Sequence, residues 1–494
     1  MKVLLILGHD GFIRMFEPMV RSLAQRGHEV NIGLAGRRPA LMSEAGSVEA
    51  LVDANPGVTW DKAPKGKERE LAELQVAVSA GRDYLRFLLP PFEKADALRE
   101  RAREHAPVLL ARMVAIPGLR ARPVVLALDA LLRRIEPLLP ESERVAGYVE
   151  DHAPDVVLVS PLVGFGSTQP LVLRSARRLG IPSALLVHSW DNLTNKGLIH
   201  EAPDRVVVWN QAQRDEAVKL HRITSEAVRV TGAQGFDHWF DGQPSTTREE
   251  FTRRVGLPAD RPYLLYTCSS QFIAPDEVGF LREWLARVRG EERLAEVGVL
   301  IRPHPQHTAQ WEGVDLGDPR VAVWPAPGGE MPAGAQARAG YYDSIHHSRA
   351  VVGINTSALI EAAIQRRPVL TVLTERYRGS QEGTLHFRHL AEGDGGGLLR
   401  VARDFPEHLD QLAAALETDG ADEQRARRFL ERFVRPHGLE EPAADRLVAC
   451  IEELADLCPA APRTARWHAL AQRALVPAAR MARRWELRAR GADG

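Results

Sequence analysis

The sequence predicts an α/β protein built as two successive alternating halves. Three observations support this. Strand-length apolar runs alternate with helix-period stretches from the first residues. A second alternating series begins at Tyr263. Between them, Gly242–Pro262 is polar and carries Pro244, Pro258 and Pro262, as a linker would. The chain of 494 residues is also too long for one ordinary domain.

The first half opens with an apolar strand, Lys2–Leu7, then Gly-His-Asp-Gly, then a helix over Phe12–Arg26. Gly27 is placed to end that helix in the left-handed conformation, and Glu29–Leu34 is the next strand. This β-loop-α-β pattern begins a doubly wound sheet. Residues 62–150 are rich in Arg, Leu and Ala, with breaks at Pro90-Pro91, Pro117, Pro123, Pro137 and Pro140. They are expected to form a helical insertion. Alternation resumes with strands at Asp155–Ser160, Ser183–His188, Arg205–Trp209 and Ala227–Thr231, and helices at Gln169–Leu179 and Gln211–Leu220. Residues 1–241 thus form the first domain.

In the second domain, 263–458, the expected strands are Tyr263–Cys268, Val297–Arg302, Val321–Trp324, Ala350–Ile354 and Val369–Leu373. Helices are expected near 275–289, 341–348, 357–366, 406–417 and 422–457, with another possible within the linker at Thr247–Val255. Residues 459–494 form a basic Arg/Ala-rich tail. Ligands of open α/β sheets sit beyond the carboxyl ends of strands, so a cleft between the halves is the expected site.

Composition narrows the class. Apolar residues make up 45% and charged residues 26%, as in a folded soluble protein. A formal net charge of −1 excludes a general nucleic-acid binder. The three cysteines have no metal-site spacing and suit a reducing compartment. The first apolar run is too short for a secretory signal, and no run reaches the ~18 residues that span a bilayer. A cytoplasmic location is therefore expected.

Five segments after strands are candidates for chemistry. In Gly8-His9-Asp10-Gly11, His9 or Asp10 is placed to act as a general base, or Asp10 caps the helix and His9 is a loop residue. His188-Ser189-Trp190-Asp191-Asn192-Leu193-Thr194-Asn195-Lys196-Gly197 is the densest polar cluster of the first half. It offers every hydrogen-bonding group that carbohydrate hydroxyls need, with Trp190 either stacking on a sugar or filling the core. Ser269 and Ser270 suit a phosphate or a helix cap. Arg302-Pro303-His304-Pro305 presents a guanidinium fork and a His direction fixed by two prolines.

The fifth is Asn355-Thr356-Ser357 followed by the apolar stretch with Glu361. Ser357 is a good N-cap residue, but its capping-box position is Ile360, so Glu361 falls one residue late. It also lacks a basic residue at i+3 or i+4. A carboxylate there can accept both hydroxyls of a ribose, or simply favour the helix dipole. The sequence has no D-x-D after a strand, no H-E-x-x-H, no G-x-S-x-G and no P-loop, so no metal site is expected. G-D-G-G-G at 393–397 lacks the strand–helix context of a dinucleotide fingerprint.

These residues resemble those of the GT-B glycosyltransferases, within them the bacterial group that builds surface and capsular polysaccharides. The carriers are the strand–G-H-D-G–helix–R-G-H-E-V opening, P-D-V-V-L-V at 154–159, L-G-I-P at 179–182 and V-T-G-A-Q-G-F-D at 230–237. R-P-H-P and N-T-S-A-L-I-E-A-A-I-Q-R-R-P-V are similar to the second domain of those enzymes. They are also similar to the CDP-glycerol glycerophosphotransferases and UDP-GlcNAc 2-epimerases. The resemblance covers about residues 1–60 and 150–460.

It implies two Rossmann-like domains and a metal-independent transferase with no cofactor beyond its nucleotide sugar. The donor would lie on Ser269, Ser270, Arg302, His304, Asn355, Thr356, Ser357 and Glu361. A glycan or lipid-linked acceptor would lie on His188, Trp190, Asn192 and Lys196, with His9, Asp10 or Asp191 as base. Lys196, Arg376 and Arg378 are candidates for a second cation on the pyrophosphate. A nucleotide-sugar 2-epimerase or glycerophosphotransferase-like enzyme of the same architecture, and a non-catalytic carbohydrate-binding protein, are the rival expectations. The tail, with eight arginines between Arg463 and Arg490 and interleaved apolar residues, is a candidate contact with the inner membrane leaflet.

Overall fold

The computed structural model describes residues 1–36, 47–66, 70–139, 141–326, 334–393, 397–417 and 422–457, with five isolated positions beyond. These form two units, each around one parallel sheet. The first comprises the described residues up to Gly235 and those from Glu441. The second is Phe236–Glu440.

The first sheet contains β1 (Lys2–Leu7), β2 (Glu29–Leu34), β3 (Val58–Lys62), β4 (Val156–Ser160), β5 (Ser183–Leu186), β6 (Arg205–Val208) and β7 (Val228–Val230). Their spatial order is β3-β2-β1-β4-β5-β6-β7. The strands are apolar on both faces because helices cover both, so β1 and β4 are buried almost throughout. Val58–Lys62 is a strand that the sequence pattern missed. Its alternation is short, and its place comes from pairing with β2.

The second sheet contains β8 (Tyr263–Thr267), β9 (Gly298–Arg302), β10 (Val321–Val323), β11 (Ala350–Val352), β12 (Val369–Val372) and β13 (Arg400–Ala402), in the order β10-β9-β8-β11-β12-β13. Both sheets reverse direction of growth between a first strand and its fourth, which is where such folds place ligands. In the second sheet that point lies between the ends of β8 and β11.

Two boundaries differ from the sequence reading. Residues 242–262 belong to the second unit and are fastened to it. Buried Asp343 accepts the Ser245 N–H at 2.8 Å and the Ser245 and Thr246 hydroxyls at 2.7 Å each. A helix, Arg248–Val255, follows, closed by a Thr247/Glu250 capping box. At the other end, the helix Ala443–Ala455 packs not on the second sheet but on the helix Ile13–Gln25 of the first. Leu447, Val448, Ile451 and Leu454 join Phe16, Met19, Val20 and Leu23 in one core. Arg26 and His28 both reach Glu452 at 3.0 Å.

The insertion is helical as expected, with main helices at Glu70–Arg86, Asp96–His105, Val108–Ala115, Arg122–Ile135 and Glu143–His152. Pro140, residues 394–396 of the glycine run and nearly all of the tail fall outside the described residues. No described helix is long and apolar enough to cross a membrane.

Candidate functional site

At the carboxyl end of the second sheet, Gly353 ends β11 against Thr267 of β8. A Cβ there would lie 3.0 Å from the Thr267 hydroxyl and 3.2 Å from its carbonyl, so a larger residue would push Thr267 back by a few tenths of an ångström. The approach brings the two loops together, and the Asn355 N–H reaches the Ser269 hydroxyl at 3.4 Å. The Asn355 amide donates to the Ser380 carbonyl at 2.7 Å and lies 3.0 Å from His386 Nε2. Its Oδ1 is buried and without a hydrogen-bond partner. Sequence reasoning missed His386 and Ser380, since nothing local ties them to β11.

Arg302 ends β9 and turns into an aromatic bracket. Its guanidinium carbon is 5.1 Å from the Trp324 ring centroid and 4.4 Å from that of Tyr341. Burial lowers its pKa to about 10, while Tyr341 and Glu361 act the other way. Its Nη1 is buried with no hydrogen-bond partner. Glu361 accepts a hydrogen bond from the Tyr341 hydroxyl. One guanidinium, one carboxylate and one phenol thus meet at the sheet end. Tyr341 was the missing member. The Tyr341-Tyr342 pair just before β11 was its only sequence trace.

The remaining predicted donor residues have local duties. Ser357 does not cap with its hydroxyl. Its backbone is already helical (φ −63°, ψ −21°), which is not the extended geometry of a capping side chain. Its carbonyl instead accepts from the Ile360 N–H at 2.9 Å, and the Thr356 hydroxyl accepts from Ala358 at 3.4 Å. Ser357 itself is exposed. The Ser270 carbonyl closes a turn by accepting from Ile273 at 2.9 Å and Ala274 at 3.0 Å. His304 Nδ1 accepts the Gln306 N–H at 3.1 Å.

Ser269 leads to a group the sequence hid. Its N–H donates to both oxygens of Glu277, at 2.9 and 3.1 Å. Tyr266 donates to the same carboxyl at 3.1 Å. Burial raises the Glu277 pKa to about 8, against those hydrogen bonds. It stands in the first turn of the helix Glu277–Gly290, and nothing local in the sequence marks it.

At the carboxyl end of the first sheet, the His9 and Phe12 rings stack with centroids 3.9 Å apart, and Phe12 is 4.5 Å from His188. His188 Nδ1 lies 3.0 Å from the Ser160 hydroxyl. Burial, then the Lys196 ammonium, lowers its pKa to about 3, although Asp191 opposes this. His188 is therefore a neutral hydrogen-bonding group at pH 7. Asp191 accepts from the Ser189 hydroxyl. Asp10 is buried, and its Oδ1 accepts the Gly11 N–H at 2.9 Å rather than capping the long helix. Trp190 and Asn192 are both buried. Trp190 fills the core, and the Asn192 carbonyl oxygen accepts the N–H groups of His188 and Ser189 at 3.3 and 3.2 Å. These two shape the loop from within. A pocket beside it is lined by Met15, His188, Trp209, Thr231, Gln234 and Gly235.

The insertion grips this loop. Arg86 donates to the carbonyls of Leu193, Lys196 (3.0 Å) and Gly197 (2.9 Å). Asp83 accepts the Leu198 N–H at 2.7 Å and His200 Nε2 at 2.9 Å. A Cβ on Gly197 would sit 2.5 Å from the Asp83 carboxylate, so any larger residue there would displace Asp83. Burial disfavours the His200 cation, but Asp83 and Glu136 outweigh it and raise its pKa to about 9. Arg82 completes the cluster through Glu136 and through Asp129 at 3.0 Å.

No protein-family model matches the chain, and no curated protein sequence matches it. Solved structures do match its fold. A putative UDP-N-acetylglucosamine 2-epimerase from Listeria monocytogenes superposes with a TM-score of 0.52 at 12% identity, covering 94% of this chain and 98% of that one. The UDP-GlcNAc 2-epimerase of Methanocaldococcus jannaschii, in complex with UDP-GlcNAc and UDP, gives 0.51 at 13% identity over 92% and 100%. A glycosyltransferase from Rickettsia africae gives 0.51 at 10% identity over 92% and 99%. With its two parallel sheets, each switching direction between a first and a fourth strand, the chain has the GT-B architecture of two Rossmann-like domains.

Proposed function

We propose that this protein is a nucleotide-sugar-dependent glycosyltransferase that works without a divalent metal ion and delivers its sugar to a glycan or lipid-linked acceptor. The observation that carries the proposal is the Arg302 guanidinium, buried with Nη1 unsatisfied, beside a carboxylate already held by Tyr341. An unmet buried donor is costly, and a phosphate oxygen supplies the missing acceptor. Arg302 then stabilises charge on the departing nucleotide phosphate, with the backbone at Thr356 and Ser357 as further donors. Glu361 accepts from the ribose hydroxyls.

In the first unit, Asp191, His9 or Asp10 removes the acceptor hydroxyl proton. Neutral His188 and Lys196 orient the acceptor. The fold likeness to UDP-GlcNAc 2-epimerases supports a second reading, epimerisation of a nucleotide sugar at the same donor groups.

One assay separates the readings. The protein is incubated with UDP-, CMP-, CDP-, GDP- and dTDP-linked sugars, with and without acceptor. Acceptor-dependent nucleotide release supports the transferase. An epimerised sugar formed without acceptor supports the epimerase. Binding of a sugar with no turnover of any donor leaves a carbohydrate-binding protein.

A further inference from the structure

The chain enters the second unit at Phe236, and its first short helix there, Asp237–Phe240, is held at both ends. At the start, Asp237 accepts two hydrogen bonds from Arg435, at 3.0 Å from Nε and 2.8 Å from Nη2. At the end, the same guanidinium lies 3.8 Å from the Phe240 ring centroid. Arg435 is 4% exposed and Asp237 6%, so this ion pair is buried. What such a pair does well is fix geometry, since losing either partner strands the other charge.

The side chain whose place is fixed here is Trp239. Its indole lies flat against Tyr342, with centroids 5.6 Å apart and planes 16° apart. It stands at right angles to Tyr341, 5.3 Å away. Tyr342 is itself locked. Its hydroxyl donates to the Gly242 carbonyl at 2.7 Å, and its ring fills the space that a side chain on Gly242 would need. Tyr341 is the residue that brackets Arg302 with its ring and donates to Glu361 with its hydroxyl. The helix Asp237–Phe240 also packs on the helix Ala358–Ile364, which carries Glu361. A ring with two such duties tolerates little rotation, and an edge-on indole restrains it. We propose that Trp239 is a positioning residue of the nucleotide site, acting through Tyr341 on Arg302 and Glu361. The inference rests on the reading of those two groups as the nucleotide-binding pair. Trp239 is buried and acts without touching the nucleotide.

The test uses the full chain and whichever of UDP, CDP, GDP and dTDP it binds most tightly by calorimetry. Trp239→Leu fills the space without a ring, and Trp239→Phe keeps an aromatic edge. Each is also made beside Tyr341→Ala. The leucine variant should weaken nucleotide binding about tenfold, and the phenylalanine variant should keep most of the affinity. Beside Tyr341→Ala neither should change the affinity further, because residues that act through one another are not additive. A merely structural role predicts the same loss in both backgrounds. Hydrogen exchange on the unaltered protein needs no substitution: bound nucleotide should slow the amides of residues 236–240 as well as those near Glu361. Unchanged affinity in Trp239→Leu, equal loss in the leucine and phenylalanine variants, an undiminished loss beside Tyr341→Ala, or unslowed amides at 236–240 would each overturn the proposal and leave the reading of Arg302 and Glu361 standing. Binding of none of the four nucleotides by the unaltered protein would overturn both together.

Discussion

Tyr341 donates its hydroxyl to Glu361 while its ring lies 4.4 Å from the Arg302 guanidinium. That single side chain explains an acid that sits one residue past its capping position. Glu361 is not there to finish a helix end. It is fixed by a residue from the preceding helix, Gly334–His346, so that a carboxylate and a guanidinium end the second sheet together.

Glu361→Ala should weaken nucleotide binding by ~1–3 kcal/mol without unfolding the protein, as expected for a lost charged acceptor. Tyr341→Phe keeps the ring under Arg302 but releases the carboxylate, and should cost ~0.5–1.5 kcal/mol. Calorimetry with free nucleotides and a melting curve decide together. Unchanged affinity with a sharply lower melting temperature would assign Glu361 a structural role.

Glu277 should give stability an unusual pH slope. Its carboxyl has a pKa near 4.5 when unfolded, raised to about 8 in the fold. The folded state therefore holds a proton that the unfolded chain has lost across that window. Stability is highest below about 4.5 and falls as pH rises, by about 1.4 kcal/mol per unit, levelling off above about 8. Glu277→Gln should remove this component, so melting temperatures of the two proteins should diverge from pH 5 to 8. Parallel curves would contradict the assignment.

How much of this was legible in the sequence depends on range. Each strand end that carries Arg302, Asn355 or His188 stood out because apolar runs stop there and polar residues begin. The partners of those residues did not. Arg86 and Gly197 are over a hundred positions apart in the chain. The helix Ala443–Ala455 shows only an apolar stripe, which any sheet or helix would bury. Its choice of the first unit rests on Arg26, His28 and the core beneath them. Asn192 and Trp190 looked like ligand groups because composition does not reveal which way a side chain turns.

His188 should not titrate near neutrality. Burial and Lys196 hold its pKa to about 3, against 6.5 in the unfolded chain. The unfolded chain binds the proton first, so this residue makes stability rise with pH between about 3 and 6.5. Its imidazole proton resonance should stay flat from pH 5 to 8. A midpoint near 6.5 would mean that the ring is solvated and able to act as the base.

Activity should survive EDTA. A metal-assisted transferase presents carboxylates to a nucleotide-bound ion, and the sequence has no D-x-D after a strand. On the proposed reading, Arg302 supplies positive charge in its place. Loss of turnover on chelation, with recovery in Mg²⁺ or Mn²⁺, would rule this out.

The insertion should matter to the acceptor side alone. Arg86 holds three carbonyls of the loop that carries Asp191 and Lys196, and it belongs to the same unit as that loop. A lysine at this position keeps the charge but cannot fork to three oxygens. Arg86→Lys should cost about 2–3 kcal/mol of stability, because buried carbonyls lose charged donors. Amide exchange over residues 193–198 should rise, because among the described residues Arg86 is the side chain of the helix Glu70–Arg86 that donates to those carbonyls. If the transferase reading holds, KM for the acceptor should increase several-fold while nucleotide affinity stays put, since Arg302 and Glu361 lie in the other unit. An equal loss of donor and acceptor affinity would mean that Arg86 supports the fold at large and not the loop.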